Sequence, residues 1–194
     1  MQKKKFTDLL PYIRHALPGA DQNLILQEMR QAARELCWRS KRWVYQFDPI
    51  TIRADRVFYD IISPPETEIA IVTHVSQDGT LLTLTEWRMN SAMDTLELLS
   101  TPGADSTKGL EVKAALQPEI DADGMDERVM TDSLDYIVAG TMARLLAMTD
   151  KTYSDPSGAF LNKQKFLQGI GRLREVVDRE FSPRTLSVAK GFWA

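Results

Sequence analysis

The sequence predicts an α+β fold: a helical bundle built from both chain ends, an inserted small antiparallel β module, and an extended C-terminal tail. Three observations carry this. Apolar residues recur at helical spacing before residue 43 and again after residue 130. Between these stretches, β-branched and aromatic residues come in short runs bounded by Pro, Gly and Asp. No strand-helix-strand alternation occurs, so a doubly wound parallel sheet is not expected. The expected units are a bundle from residues 1–43 and 130–181, a β module at 44–118, an acidic linker at 119–129 and a tail at 182–194. A chain of 194 residues is large enough for one core domain with a small inserted module.

Lys3, Lys4 and Lys5 begin like the charged end of a signal peptide, but Asp8, Pro11, Arg14 and His15 interrupt any apolar segment behind them. A solvated arm is expected there. Thr7 or Asp8 is expected to cap a short helix reaching Leu17. Pro11 would fall in its first turn, where a missing N–H costs little, and Pro18-Gly19 would stop it. Asp21 is the expected cap of a second helix. The stripe Ile25, Met29, Ala32, Leu36 and Trp43 carries that helix through Arg42, a length of about 30 Å at 1.5 Å per residue.

The period then changes. Tyr45, Phe47, Ile50 and Ile52 sit among polar residues, and Pro49 between them implies an edge position or a bulge. Strands are expected at Val57–Ile62, Ile69–Val75, Leu81–Leu84, Thr95–Leu99 and Leu110–Leu116. Asp78-Gly79 between apolar runs signals a tight hairpin. Ile120 to Thr131 reads as a flexible acidic connection. Thr131 or Asp132 is the expected cap of a helix burying Leu134, Ile137, Val138, Met142, Leu145 and Leu146, with Gly140 and Ala143 permitting a close helix crossing. Asp155-Pro156 opens the last helix, with Phe160, Phe166, Leu167, Ile170, Leu173, Val176 and Val177 as its inward stripe.

Little in the composition points to a reaction. The single cysteine, Cys37, rules out an internal disulfide and is compatible with a reducing cytoplasm. No run approaches the roughly 20 apolar residues of a membrane span. His15 and His74 have no Cys, Asp or Glu beside them at metal-ligand spacing, and no zinc, EF-hand, phosphate-loop, dinucleotide or nucleophile-elbow motif is present. No catalytic, cofactor-binding or metal-binding residue is therefore assigned, and no cofactor is expected. Asp121, Asp123, Asp126 and Glu127 form the densest carboxylate group, read as a solvated loop. Trp38, beside Arg34, Arg39, Lys41 and Arg42, suits packing or a protein interface, with single-stranded nucleic-acid stacking as the competing reading. Past Pro183, the alternation of Arg184, Leu186 and Val188 and the aromatic pair Phe192-Trp193 suit an extended segment that adds to a neighbouring protein.

Three stretches together resemble the head-to-tail connector adaptors of tailed bacteriophages, the group that includes the tail-tubular-protein-A-like adaptors. The first is the helix end with Ala32-Ala33, Glu35-Leu36-Cys37, Ser40 and Trp43. The second is Phe47-Asp48-Pro49-Ile50 followed by Val57-Phe58-Tyr59-Asp60. The third is the run Ile137 to Met148 followed by Lys151-Thr152-Tyr153-Ser154-Asp155-Pro156, similar to the paired C-terminal helices of such proteins. The acidic loop and the Gly-Phe-Trp-Ala end are not part of that pattern.

The resemblance implies a non-enzymatic virion structural protein, assembled in the host cytoplasm and located in the neck. It implies a homo-oligomeric, dodecameric ring beneath the portal protein that extends the DNA channel and carries the next neck or tail protein. Genome DNA would pass without specific binding, and no membrane would be involved. The tail, through Arg184, Leu186, Val188, Phe192 and Trp193, would dock on the portal. In a ring, the basic residues Arg34, Arg39 and Arg42 of one subunit could pair with Asp121, Asp123 and Asp126 of the next. The alternatives are a nucleic-acid-binding module of a phage or bacterium, another neck component such as a head-completion or tail-terminator protein, and a small hydrolase.

Overall fold

The expected solvated arm is a strand. In the computed structural model, which describes residues 2–181, β1 (Lys3–Lys5) pairs antiparallel with residues 124–126, Lys3 facing Asp126 and Lys5 facing Gly124. Lysine opposite aspartate is a favourable cross-strand pair. Hydrogen bonds from Phe6 N–H to Asp123 O and from Glu127 N–H to Gln2 O, both 2.9 Å, extend the ladder. A 3-10 turn at Phe6–Leu9 and α1 (Leu10–Arg14) follow. The single helix expected from Thr7 or Asp8 to Leu17 is thus broken in two and ends sooner. The break still delivers Phe6, Leu9, Leu10, Ile13 and Leu17 to the core.

α2 (Gln22–Ser40) is capped as expected: the Asp21 carboxylate accepts from the N–H groups of Asn23 and Leu24 at 2.9 and 3.0 Å. It buries Ile25, Met29, Ala32, Ala33, Leu36, Cys37 and Ser40 along one face. It stops two residues earlier than expected. The Ser40 hydroxyl donates to Leu36 O at 2.7 Å and accepts from Arg42 N–H at 3.3 Å, a local bond that competes with the helix ladder. Lys41 takes a left-handed conformation (φ 55) and returns its N–H to Cys37 O. Trp43 is therefore buried beyond the helix rather than on its stripe.

The β region forms two antiparallel sheets. β2 (Val44–Gln46) and β3 (Ile50–Ile52) both pair with the long β9 (Ser106–Pro118) on one side, and the register shifts within the β3 pairing. Pro49, which cannot donate to a ladder, lies between β2 and β3. On the other side of β9 lies β5 (Thr67–Gln77), which turns at Asp78-Gly79 into β6 (Thr80–Leu81). Both turn residues have positive φ, 54 and 83, as a two-residue hairpin requires. The strand order is β2-β9-β5-β6, with β3 also on β9. The smaller sheet has the order β4-β8-β7, from β4 (Phe58–Asp60), β7 (Trp87–Met89) and β8 (Thr95–Leu98). β7 was not foreseen, and the strand expected to reach Leu84 ends at Leu81. There the Glu86 carboxylate closes a turn by accepting from Thr83 N–H and Oγ1 at 2.6 and 2.8 Å.

Residues 119–129 are not a flexible linker. Gly124–Asp126 is β10, the partner of β1, and Ala122, Gly124 and Met125 are buried. α3 (Glu127–Leu146) starts directly behind it, capped by Asp126 rather than by Thr131 or Asp132. Asp155 opens α4 (Pro156–Phe181), as expected, by accepting from Ser157 N–H. α3 packs against both α2 and α4, and α2 packs against β9 and β5. Gly140 permits the helix crossing: a Cβ there would meet the Phe166 ring at 2.8 Å and Ala32 at 3.0 Å. Gly169 is pressed against the Tyr136 ring in the same way. The α4 stripe is only partly inward. Phe166, Ile170, Leu173 and Val177 are buried, whereas Phe160, Leu167 and Val176 are exposed.

Candidate interaction surface

The chemistry-bearing residues are mostly engaged in holding the fold. Cys37 is completely buried, and burial pushes its thiol up to about 12. That leaves no thiolate near neutral pH. Among the described residues, no group of three His, Cys, Asp or Glu is placed to hold a metal. His15 is exposed on its own and His74 is half-buried in β5, far along the chain from it.

The basic face of α2 is committed to partners within the chain. Arg34 forks onto both Glu68 oxygens at 2.8 and 3.0 Å and also donates to Pro118 O at 2.6 Å. Arg39 pairs with Glu35 one turn back at 3.0 Å, and Arg144 of α3 reaches the same carboxylate at 2.7 Å. Arg42 meets Asp132 of α3 at 2.9 Å. Of the acidic group, Asp126 caps α3, Asp123 lies 3.9 Å from Arg30, and Asp121 is exposed. Arg30 also donates to Ala122 O at 2.8 Å. The partners named for Arg34, Arg39 and Arg42 are thus Glu68, Glu35 and Asp132 of the same chain, and not Asp121, Asp123 or Asp126. Pairing between subunits is not needed to satisfy Arg34, Arg39 or Arg42, because their partners lie within hydrogen-bond reach already. Lys3 bonds Glu66, whose carboxylate also accepts from Asp123 N–H at 2.9 Å. The Lys3 ammonium chiefly, and that N–H next, hold the Glu66 carboxyl below its usual range.

Exposed large apolar side chains among the described residues include Ile62, Ile120, Phe58 and Phe160 as well as two groups not assigned from sequence as a whole. The first is a groove where the end of α2, the middle of α4 and β5 meet. Trp38, 57% exposed, Ile71, Leu167 and Gly171 form its apolar part, and Arg39, Lys41 and Arg174 its basic part. The second is the turn after β6. Leu84 at 80% and Leu81 at 62% exposure project there, and Leu99 is held alongside by its N–H to Glu86 O at 2.8 Å. Between residues 78 and 105 the carboxylates Asp78, Glu86, Asp94, Glu97 and Asp105 outnumber the one cation, Arg88.

Trp38, Arg39 and Lys41 were singled out together from the sequence; Ile71, Leu167, Gly171 and Arg174, which complete the groove, were not linked to them. Leu167 reads as inward on a helical wheel, and Ile71 and Arg174 are distant along the chain. The proposed anchors Arg184, Leu186, Val188, Phe192 and Trp193 lie outside the described residues. No helix among the described residues is long and apolar enough to cross a membrane. Comparison with protein-family models and with curated proteins finds no match for this chain.

Proposed function

We propose that this protein is a structural subunit of a tailed-bacteriophage neck, a head-to-tail adaptor. In this reading, copies close into a ring beneath the portal, extend the DNA channel and carry the next neck or tail protein. Helices from both chain ends act as one bundle, and the stretch from Val44 to Pro118 acts as the module inserted in it. The sequence resemblance supplies the identity of the assembly. The observation that supports it from the fold is the pair of unlike exposed apolar surfaces, the Trp38 groove and the Leu84 turn. A closed ring of identical subunits joins two different surfaces of the same chain, and such interfaces favour Trp and Arg at their centre. A hydrolase instead needs a positioned acid or base in a cleft. Glu35, Glu66, Glu68 and Asp132 are tied to cations, and Asp126 to backbone N–H groups. A net charge of -3 suits a channel through which DNA must slide, since a basic wall would hold phosphates.

Native mass spectrometry of the chain, alone and with its cognate portal ring, tests this. Addition of one adaptor per portal subunit is the expected result; a chain that never joins the portal would retire the reading. One observation favours a second reading, a single-stranded nucleic-acid module: Trp38 stands exposed among Arg39, Lys41 and Arg174. Oligonucleotide binding that weakens with salt and is lost in Trp38→Ala would support that module instead.

A further inference from the structure

We propose that the pocket between the end of α2, the face of the larger sheet and the first turn of α3 is an oxyanion site that takes a phosphate group. The inference goes beyond the adaptor reading and does not rest on it.

The pocket has a volume of about 480 Å³, and its lining includes Arg42, Lys113 and Arg128 together with Gln46, Asp126 and Asp132. The fold gathers the three cations from separate elements. Arg42 follows α2, Lys113 is on β9, and Arg128 is in the first turn of α3. Lys113 sits inside the sheet rather than at its rim. Its strand is flanked by β2 and β5, and the residues opposite it are Gln46 on one side and His74 on the other. Neither supplies a negative charge. Glu111, two residues along the same face, accepts from Ser76 Oγ at 3.4 Å. Lys113 is half-buried, and among the described residues its side chain has no hydrogen bond or ion pair. The same holds for the side chain of Arg128, which is exposed.

The two carboxylates of the pocket are already engaged elsewhere. Asp126 Oδ1 accepts from the N–H groups of Arg128 and Val129 at 3.1 and 3.2 Å, and Asp132 Oδ2 lies 2.9 Å from Arg42. Asp126 also fills the end of α3, so the helix terminus is not what a ligand would meet. Three cations against two carboxylates leave net positive charge in a concave site, where water screens it less than on an open surface. A half-buried ammonium without a counter-charge has given up hydration for nothing in return, and an entering oxyanion supplies the missing partner. Phosphate suits the arrangement better than a carboxylate. Donors on three elements can reach a tetrahedral group from several sides, whereas a flat carboxylate is satisfied by one fork. The volume leaves room for what the phosphate is attached to, a small compound or a nucleic-acid backbone. In a neck ring such a site would lie off the channel, since on its wall it would hold the genome.

The test is calorimetric titration of the full chain in two arms, one with inorganic phosphate and one with a short single-stranded DNA, at matched ionic strength. The site variant is Lys113→Gln with Arg128→Gln. The control, Lys163→Gln with Lys165→Gln on the exposed side of α4, removes the same charge elsewhere. Both are checked for native circular dichroism. Should Lys113→Gln unfold the sheet, Arg128→Gln alone at its exposed position carries the test. The expected result is binding in at least one arm that weakens by about tenfold or more in the site variant and is kept in the control. Tighter binding of inorganic phosphate assigns the site to a small phosphate compound, and tighter binding of DNA assigns it to a nucleic-acid backbone. No binding in either arm, binding indifferent to the site variant, or an equal loss in the control would each overturn the inference. Acetate that binds as well as phosphate would overturn the choice of phosphate. A chain that joins the portal but takes up neither ligand would remove this inference and leave the adaptor reading intact. Phosphate uptake by a chain that ignores the portal would do the reverse.

Discussion

Arg34 is the side chain that ties the helical and β layers together most directly. It leaves α2, forks onto Glu68 of β5 and reaches the last carbonyl of β9. The guanidinium hydrogen bond is the main reason that the Glu68 carboxyl lies below its ordinary range, with Gln117 adding to it and partial burial opposing it. A depressed folded-state pKa means stability that is complete above the unfolded carboxyl's value and is lost as pH falls through the folded one. Arg34→Ala is expected to cost about 1–2 kcal/mol near neutral pH and less in acid. Urea unfolding at about pH 7 and about pH 4, around the ordinary carboxyl range, reads the difference; an equal loss at both would refute the coupling. Cys37 gives a second outcome at this scale. With its thiol raised to about 12 and no exposure, it should resist alkylation in the native protein and react only on unfolding. Fast labelling of native protein would contradict that burial. Asp21, Pro49 and Asp78-Gly79 were legible in the sequence because caps, breaks and hairpin turns are written in adjacent residues. The partner of Arg34 was not, because it lies across the layers.

Among the elements, β1 and β10 show what periodicity misses. Three consecutive lysines carry no apolar alternation, and an acidic run with a glycine reads as loop. They form a ladder because backbone groups pair irrespective of side chain, and because Gly124 lets the strands approach. A Cβ at Gly124 would lie 2.1 Å from Lys4 O. Gly124→Ala should therefore push β1 away at a cost of about 1–3 kcal/mol, the range for overpacking. Hydrogen exchange would show it as faster amide exchange around Lys5 and Phe6 with α2 still protected; unchanged protection there would count against the ladder. The crossing of α3 on α4 and α2 depends on Gly140 in the same manner. Gly140→Val should lower the unfolding midpoint, since its side chain must displace the Phe166 ring or Ala32. The close crossing was foreseen from the small residue on an inward face. The exposure of Phe160 and Leu167 was not, because the stripe of α4 is wider than the surface α3 and α2 offer to cover it.

For the molecule as a whole, charge is distributed by region more than in sum. The carboxylates that crowd residues 78–105 sit on the β side, and Arg39, Lys41 and Arg174 border the Trp38 groove. The mixed α and β character with antiparallel sheets was legible from the switch of period near residue 43 and back near residue 130. The partners that Arg34, Arg39 and Arg42 take inside the chain were not. The sequence shows that complementary charges exist, and only the folded geometry shows that Arg42 and Asp132 lie 2.9 Å apart.

By itself the sequence determined what depends on neighbouring residues: the type of most elements, the Asp21 and Asp155 caps, the Asp78-Gly79 hairpin and the glycine at the helix crossing. These follow from backbone sterics and from hydrogen bonds within a turn or two. The tertiary structure alone decided which charges are spent inside the chain, that the N-terminal lysines form a strand, and which apolar residues stay uncovered. Each of these depends on the distance between groups far apart in sequence, and so on how the layers pack.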